Sequence, residues 1–558
     1  MERKTHQIRT KSFEFMTLFM MVLGTVVGSG IYMKNSELLQ QAKNPLIGII
    51  LWLVVGIVCI LSVIVFMEIS SSTRHFGNGT MGNWTKLFIN RKVASFFSLT
   101  YVFMYMPSCY AFFTGSFVTF LLQAIGKEIT PSIQLTIYLV AGIVILLGFT
   151  TINVLKPVLG EKLQFFGTIF KFIPLIVALI AGFCLIDKNS AMFNDGYAGN
   201  SWSTHQWDPS LFLRGFGAIL FSFDGYVYIC NAQKGVTHKE QVPKALFAGM
   251  VFVTAFYLLI AISLFLGSPD GSIVSLFEKM FAGGKSGSDI SLGVRNASRV
   301  TSNVLLMIIC LLNVNVFTII GATSIESDAD AKLLFIGKDK TSVSHAKTAF
   351  FQVGVSIVVY VVFILIGFLA TSHGWNGIHT DLNWIKGLDT LKDVDPKDLN
   401  NQALIYFLNK PSEYVGIIAS ADTAIAFIMI DILIFAAVIN RKTNKVKIKK
   451  YGGVVSCGII SGIFMFLFSI LGIYAFIDPD PSHKTPWVQT SGIWFTVSMV
   501  VSLLIVLIVF LIQEHFFKKY PFKNGFDGEL SAEQKKIPSW DQVFFPNKTT
   551  RKDKVKHR

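Results

Sequence analysis

The chain has 558 residues, of which 52% are hydrophobic and only 15% charged, and its mean hydropathy is +0.56. Soluble domains carry about 25% charged residues, so an ordinary globular protein, a disordered chain and a disulfide scaffold are excluded; the six cysteines stand apart with no Cys-x-x-Cys. In a chain this apolar, a net charge of +15 marks cytoplasmic loops rather than nucleic-acid binding.

A membrane-crossing helix needs about 20 mostly apolar residues. Twelve stretches qualify, at 13–42, 45–72, 93–125, 130–150, 163–187, 209–232, 244–267, 300–325, 348–372, 413–440, 452–478 and 489–513. The first is too long for the core of a signal peptide and is expected to stay in the membrane. It carries Gly24-Thr-Val-Val-Gly28-Ser29-Gly30-Ile31-Tyr32. Gly24 and Gly28 alone read as a close helix–helix contact. The adjacent Gly28-Ser29-Gly30 adds a second reading, an unwound stretch, which a bilayer tolerates only where backbone lines a cavity. Lys34, beyond the break, is expected to snorkel outward.

Between the second and third spans, Trp84, Leu87 and Phe88 have the spacing of an interfacial helix. The third span holds Tyr101, Tyr105 and Tyr110, candidates for the walls of a pathway. The fifth holds Lys171, followed by Pro174, midway along its length; a lysine at that depth must be neutral or bonded to carbonyls. The sixth contains Phe221-Ser222-Phe223-Asp224-Gly225-Tyr226, with a carboxylate in mid-span beside a helix breaker. Spans 1 and 6, five helices apart, are therefore both interrupted. That pattern predicts a five-plus-five inverted repeat with substrate at the two breaks, spans 11 and 12 being added to it.

After span 7, Ile273, Val274, Leu276, Phe277, Met280 and Phe281 predict a short amphipathic helix, either an outer lid or a packed surface element. Asn313 and Asn315 in span 8 read as hydrogen bonds between helices. Loop 373–412 is polar and mixed in charge. Asp431 in span 10 is either a titrating group or a neighbour of Arg441. Tail 514–558 is basic and suited to anionic lipid headgroups. With the N-terminus inside, the cytoplasmic segments carry 34 Lys and Arg against 12 outside, so both termini are expected in the cytoplasm. The division is then 1–12, N-terminal segment; 13–440, ten-helix transport core; 441–513, two further helices; and 514–558, tail.

The strings at 24–32 and 221–226 resemble the first- and sixth-helix signatures of the amino acid–polyamine–organocation (APC) transporters. Glu68 with Gly77 and Gly79, and Pro243-Lys244-Ala245, are similar to further family patterns. Where the family usually has two glutamates after helix 6, this chain has Gln233 and Lys234, and the usual Asn-Pro is Thr237-His238. The resemblance covers most of 13–513. It implies an all-α polytopic LeuT-like fold and a site for the carboxylate and ammonium of a free amino acid.

Physical chemistry agrees with that implication. The N–H groups of Ser29, Gly30 and Ile31, opening the second half of helix 1, suit a carboxylate. The carbonyls of Val26, near Gly28, and of Phe221 and Asp224 would accept the ammonium, with the Ser29 hydroxyl beside them. The resemblance implies that Phe221 closes over the substrate as an aromatic gate. Asp224 either contacts a cationic group or caps the second half of helix 6. The resemblance places Lys171 where related sodium carriers bind Na⁺, so it implies sodium-independent transport with Lys171 as the coupling group or a fixed structural cation.

The expected function is secondary amino acid transport by alternating access in the plasma membrane, proton-coupled or by exchange. The substrate is expected to be neutral or cationic rather than acidic. Alternatives are a sodium-coupled symporter of the same fold and a transporter-like nutrient sensor. No enzyme, metal, cofactor or nucleic-acid partner is expected: the ten histidines avoid span centres, and neither His-Glu-x-x-His nor a phosphate-binding loop occurs. Nor do repeated pore-lining filters of the kind that would suggest a channel.

Overall fold

A computed structural model describes residues 11–42, 44–73, 79–126, 129–188, 190–193, 215–228, 230, 236–238, 240–285, 290–338, 342–372, 396–478, 487 and 491–520. Among them the secondary structure is helical throughout. Helix α1 (Lys11–Val26) and α2 (Ser29–Ala42) form the first span, bent by 42° at Gly28. Helix α3 (Pro45–Ser71) follows at once, its N-cap Asn44 accepting from the N–H groups of Leu46 and Ile47 at 2.8 and 3.2 Å, with Pro45 at the position where a missing N–H costs nothing.

The short α4 (Met81–Phe88) starts on Thr80 and α5 (Arg91–Thr100) on Asn90, both side-chain caps. A π-helical turn at Tyr101–Tyr105 then joins α5 to α6 (Met106–Ile125). Pro107 has no N–H to give to the helical ladder, and the wider turn lies just ahead of it. Gly126, at φ +62°, stops α6 in the left-handed conformation that glycine adopts without strain.

Helices α7 (Pro131–Leu155) and α8 (Pro157–Cys184) are the fourth and fifth spans, and α9 (Phe216–Phe223) is the described part of the sixth. Then come α10 (Gln241–Gly267), the short α11 (Ile273–Phe281), α12 (Leu292–Asp330), α13 (His345–Ser372), α14 (Pro396–Thr443), α15 (Val454–Ile477) and α16 (Ser491–Lys519). Ten described helices are long and apolar enough to cross a bilayer, and α1 with α2 makes an eleventh. The twelfth of the predicted spans rests on the sequence, because 209–214 and 231–235 lie outside the described residues. So do 1–10, most of the loop 373–412 and 521–558 of the tail.

The helices form a centre and a rim. Helices α3, α6, α10, α12 and α14 bury their aromatic and branched side chains in one continuous core. Helix α16 exposes Leu504, Ile508, Leu511 and Ile512, α15 exposes Ile463 and Phe466, and α7 exposes Val140 and Val144. Apolar residues on all sides of a helix at the rim are the mark of contact with lipid. The chain is an integral membrane protein.

Two local expectations change with packing. The amphipathic stretch at 273–281 is the helix α11, with Leu276 and Phe277 buried beneath it, so it is a packed element. Helix α4 is also buried rather than interfacial. Trp84 is fully enclosed, meets Phe66 edge-on at 5.5 Å and donates to the Thr73 hydroxyl at 3.2 Å. An indole whose N–H has a protein partner does not need the headgroup region.

At the end of α14, Arg441 pairs with Glu68 of α3 rather than with Asp431. Its Nε is 2.7 Å from Oε1 and its terminal nitrogen 2.5 Å from Oε2, and Glu68 is fully buried. The same arginine donates to the Tyr451 carbonyl, and Glu68 accepts from the Tyr451 N–H at 3.1 Å. Removing one partner leaves a buried charge, at about 3–5 kcal/mol. Arg441→Ala is therefore expected to lower the melting temperature of the detergent-solubilised protein clearly. The double variant Glu68→Gln, Arg441→Met is expected to lower it less.

Candidate functional site at the two helix breaks

Helix α1 ends at Val26 and α2 begins at Ser29, which leaves the first N–H groups of α2 without intrahelical acceptors. Helix α9 ends at Phe223. Asp224 is extended (φ −67°, ψ 159°), and Gly225, at φ +92°, turns the chain into the single turn Tyr226–Tyr228. Gly225 is the residue type that takes this conformation without strain. The two breaks lie against each other: a Cβ on Gly30 would stand 3.0 Å from the Ser222 Cα, and one on Gly225 3.4 Å from the Thr25 carbonyl oxygen.

Between them is a cavity of about 20 Å³. That is room for about one water. Val26, Gly28, Gly30, Phe221 and Asp224 line it. Ile31 does not line it; its side chain is fully buried in the core. The Ser29 side chain lies outside the described residues. The Val26 carbonyl already accepts from the Tyr257 hydroxyl at 2.9 Å, and the Phe221 carbonyl accepts from the Asp224 N–H at 3.4 Å. Each carbonyl oxygen retains a second lone pair.

Asp224 is bonded within the protein on both carboxylate oxygens. One carboxylate oxygen accepts from the Gly225 N–H at 2.7 Å, holding the turn. The other accepts from the Tyr105 hydroxyl and lies 3.5 Å from the Thr423 hydroxyl, while the residue also lines the cavity. Tyr105 stands at the end of the π-helical turn and its ring lies 4.9 Å from that of Tyr101. Tyr110 instead donates to the Phe317 carbonyl at 3.0 Å.

Lys171 is fully buried. Its Nζ donates to the Asn313 side-chain oxygen at 2.6 Å and to the Gly24 carbonyl at 3.2 Å. One ammonium thus joins α8 to the end of α1 and to α12. Asn313, read from the sequence as an interhelical bond, makes that bond and also lines the cavity.

The remaining lining residues include Thr25, Cys109, Phe113, Ser222 and Phe317. Sequence reasoning did not single these out. Phe113 and Phe317 are two among 51 phenylalanines, and nothing local marks them; Ser222 could have been found as the neighbour of Phe221. Phe221 meets Phe112 edge-on at 4.9 Å and Phe113 at 6.2 Å, and Phe113 meets Phe317 at 5.2 Å.

Lys34 does not snorkel outward. It is 4% exposed, 2.6 Å from Glu37, and its ammonium lies 5.5 Å from the Phe221 ring centre and 5.8 Å from that of Phe112. A carboxylate and two ring faces satisfy the charge in place.

On the N-terminal side of the site, Glu14 at the start of α1 accepts from the N–H groups of Thr237 and His238 at 2.7 and 2.6 Å. These are the positions at which the resemblance expects Asn-Pro. A proline at 238 would have no N–H to donate, so the departure and the contact belong together. Gln233 and Lys234 lie outside the described residues.

Several known proteins are similar to this chain. An uncharacterized protein of Mycoplasma pneumoniae is 24% identical over 474 residues, covering 78% of this chain and 79% of that one. The b(0,+)-type amino acid transporter 1 of Mus musculus is 23% identical, covering 47% of this chain and 54% of its own length. The serine/threonine exchanger SteT of Bacillus subtilis is 23% identical, covering 49% and 60%. The chain thus spans between half and two thirds of these two transporters. Among solved structures, a manganese transporter of Eremococcus coleocola aligns over 93% of this chain and 98% of its own, with 11% identity and a TM-score of 0.48. The profile of the amino acid permease family matches residues 13–504, from the first helix into the last. The chain therefore belongs to the amino acid permeases of the amino acid–polyamine–organocation superfamily.

Proposed function

We propose that the protein is a secondary carrier of free amino acids, working by alternating access on a five-plus-five inverted repeat with both termini in the cytoplasm of the plasma membrane. The observation that carries this reading is the meeting of the two helix breaks at one small cavity, where the first residues of α2 and Asp224 face a common space. A zwitterion fits such a space. Its carboxylate takes the orphan N–H groups at Ser29, Gly30 and Ile31, and its ammonium takes the carbonyl and carboxylate oxygens at the ends of α1 and α9.

Both Asp224 oxygens hold bonds inside the protein, and the facing walls are Cys109, Phe113 and Phe317. A neutral side chain is therefore favoured over a cationic one, and an acidic one is disfavoured beside Asp224. Phe221 acts as the gate over the bound molecule.

Transport is sodium-independent. The oxygens of Gly24 and Asn313, ligands of the kind a small cation would need, are held by the Lys171 ammonium. Coupling then runs through a proton on Lys171 or through exchange of one amino acid for another. The Bacillus subtilis relative is described as an exchanger, which makes exchange the mode to test first.

The test is counterflow in proteoliposomes. Vesicles are loaded with one unlabelled amino acid at a time, and entry of the labelled form is followed at equal pH without sodium. Accumulation with a group of neutral amino acids is the expected result and names the substrate class. If correctly folded protein accumulates label only when sodium is present, the symporter alternative replaces this reading. If it accumulates none under either condition, the sensor alternative does.

A further inference from the structure

Gly30 lines the cavity, and Lys34 lies four residues further along the same helix. Residues four apart share a helix face and are separated by about 6 Å of rise. Lys34 therefore faces the same path as Gly30, one turn further from the N-terminus, on the outer side in the proposed orientation.

Its ammonium is not in water. It contacts three elements at once: Glu37 on its own helix at 2.6 Å, Phe112 on α6 at 5.8 Å and Phe221 on α9 at 5.5 Å. Phe112 and Phe221 are themselves in edge contact at 4.9 Å. Helices α2, α6 and α9 each line the cavity, through Gly30, Cys109 and Phe221, so an opening between them separates these contacts.

We infer that Lys34 is the pin of the outer gate: its buried ammonium, neutralised by Glu37, bridges the faces of Phe112 and Phe221 and holds the path above the cavity shut. This rests on the reading of the chain as a carrier and adds a positioning residue to it. The aromatic gate alone is a contact between two apolar rings. The cation above both rings makes closure depend on a specific geometry, since attraction to a ring face falls away once the ammonium leaves it. Glu37 lies one turn from Lys34 on the same helix, so the pair travels with α2 as a unit. Opening therefore separates the ammonium from the rings without separating it from its counter-ion.

The chain supplies its own reporter. Cys109 lines the cavity on α6. In a full-length protein keeping Cys109 as its single cysteine, a membrane-impermeant cationic methanethiosulfonate is added to the outer face of oriented vesicles, and the rate of labelling is measured by mass. Lys34→Met keeps the length and apolar stem and removes the charge. It is expected to speed labelling about tenfold from the outer face, the weight of a pair of desolvated ring contacts, with no change from the inner face. Lys34→Arg retains a cation over the rings and is expected to label at the parent rate.

Equal rates for Lys34→Met and the parent overturn the inference, as does equal acceleration from both faces, which would report general loosening. Should Lys34→Met fail to give a monodisperse protein, Phe112→Leu tests the same contact from the other side. It is expected to accelerate outer labelling several-fold, and an unchanged rate overturns the inference. Labelling does not depend on knowing the substrate. A protein that shows the effect and no counterflow keeps the gate and loses the carrier reading, whereas counterflow without the effect does the reverse.

Discussion

Gly30→Val is expected to abolish counterflow while the protein inserts and purifies normally. The reason is the distance between the two breaks. A Cβ at position 30 would stand 2.9 Å from the Ser222 hydroxyl oxygen and 3.0 Å from the Ser222 Cα. A hydroxyl can rotate away, but a backbone atom moves only if α9 moves. Valine adds two further methyl groups at the same point and narrows a cavity that is already only about 20 Å³. A displacement of about 1 Å in a positioning element is enough for a loss of about a hundredfold, and valine presses its methyl groups against the same Ser222 backbone. The check is the counterflow rate per mole of reconstituted protein, with gel filtration to show that the variant is folded. Gly30→Ala is expected to fall between the two. Wild-type rates for Gly30→Val would mean that the breaks are not where substrate passes.

Lys171→Ala is expected to reduce uptake more than about tenfold, the equivalent of losing one charge-assisted hydrogen bond, and to remove its pH dependence. The ammonium holds the Asn313 oxygen at 2.6 Å and the Gly24 carbonyl at 3.2 Å, so its loss removes the charged link from α8 to both helices at the level of the break, leaving the Gln164 amide on the Gly24 carbonyl at 3.3 Å. Asn313 lines the cavity, so a change in the charge of Lys171 reaches the proposed substrate site through one side chain. The measurement is uptake across a pH series for wild type and variant at matched protein. An unchanged pH profile, with the rate lowered, would leave Lys171 a structural cation and remove it from coupling. A sodium requirement in the wild type would overturn the proposed role of Lys171 altogether.

What could be read from the chain was local. Hydropathy located eleven of the spans now seen as helices, because a bilayer rewards each apolar segment separately. The Gly28-Ser29-Gly30 and Asp224-Gly225 breaks were legible because helix ends are governed by a few neighbouring residues. The helix Ile273–Phe281 followed from its periodicity for the same reason. That the breaks in spans 1 and 6 belong to one site was also open to inference, from their matching positions.

Which side chains meet was decided by packing. Glu68 and Arg441 lie 373 residues apart and pair only because α3 and α14 come together. Asn313 joins Lys171, and Phe113 and Phe317 join Phe221, across elements whose relative rotation no local pattern encodes. Lys34 shows the difference most clearly. A lysine near the end of a membrane helix is expected to reach for water, because alone its charge has no partner there. In the folded chain Glu37 and two ring faces supply that partner, and the residue becomes buried. Sequence determined where this chain crosses the membrane and where it breaks, since those are properties of short segments. Tertiary structure decided what each polar group bonds to, because that depends on which surfaces of distant helices are brought into contact.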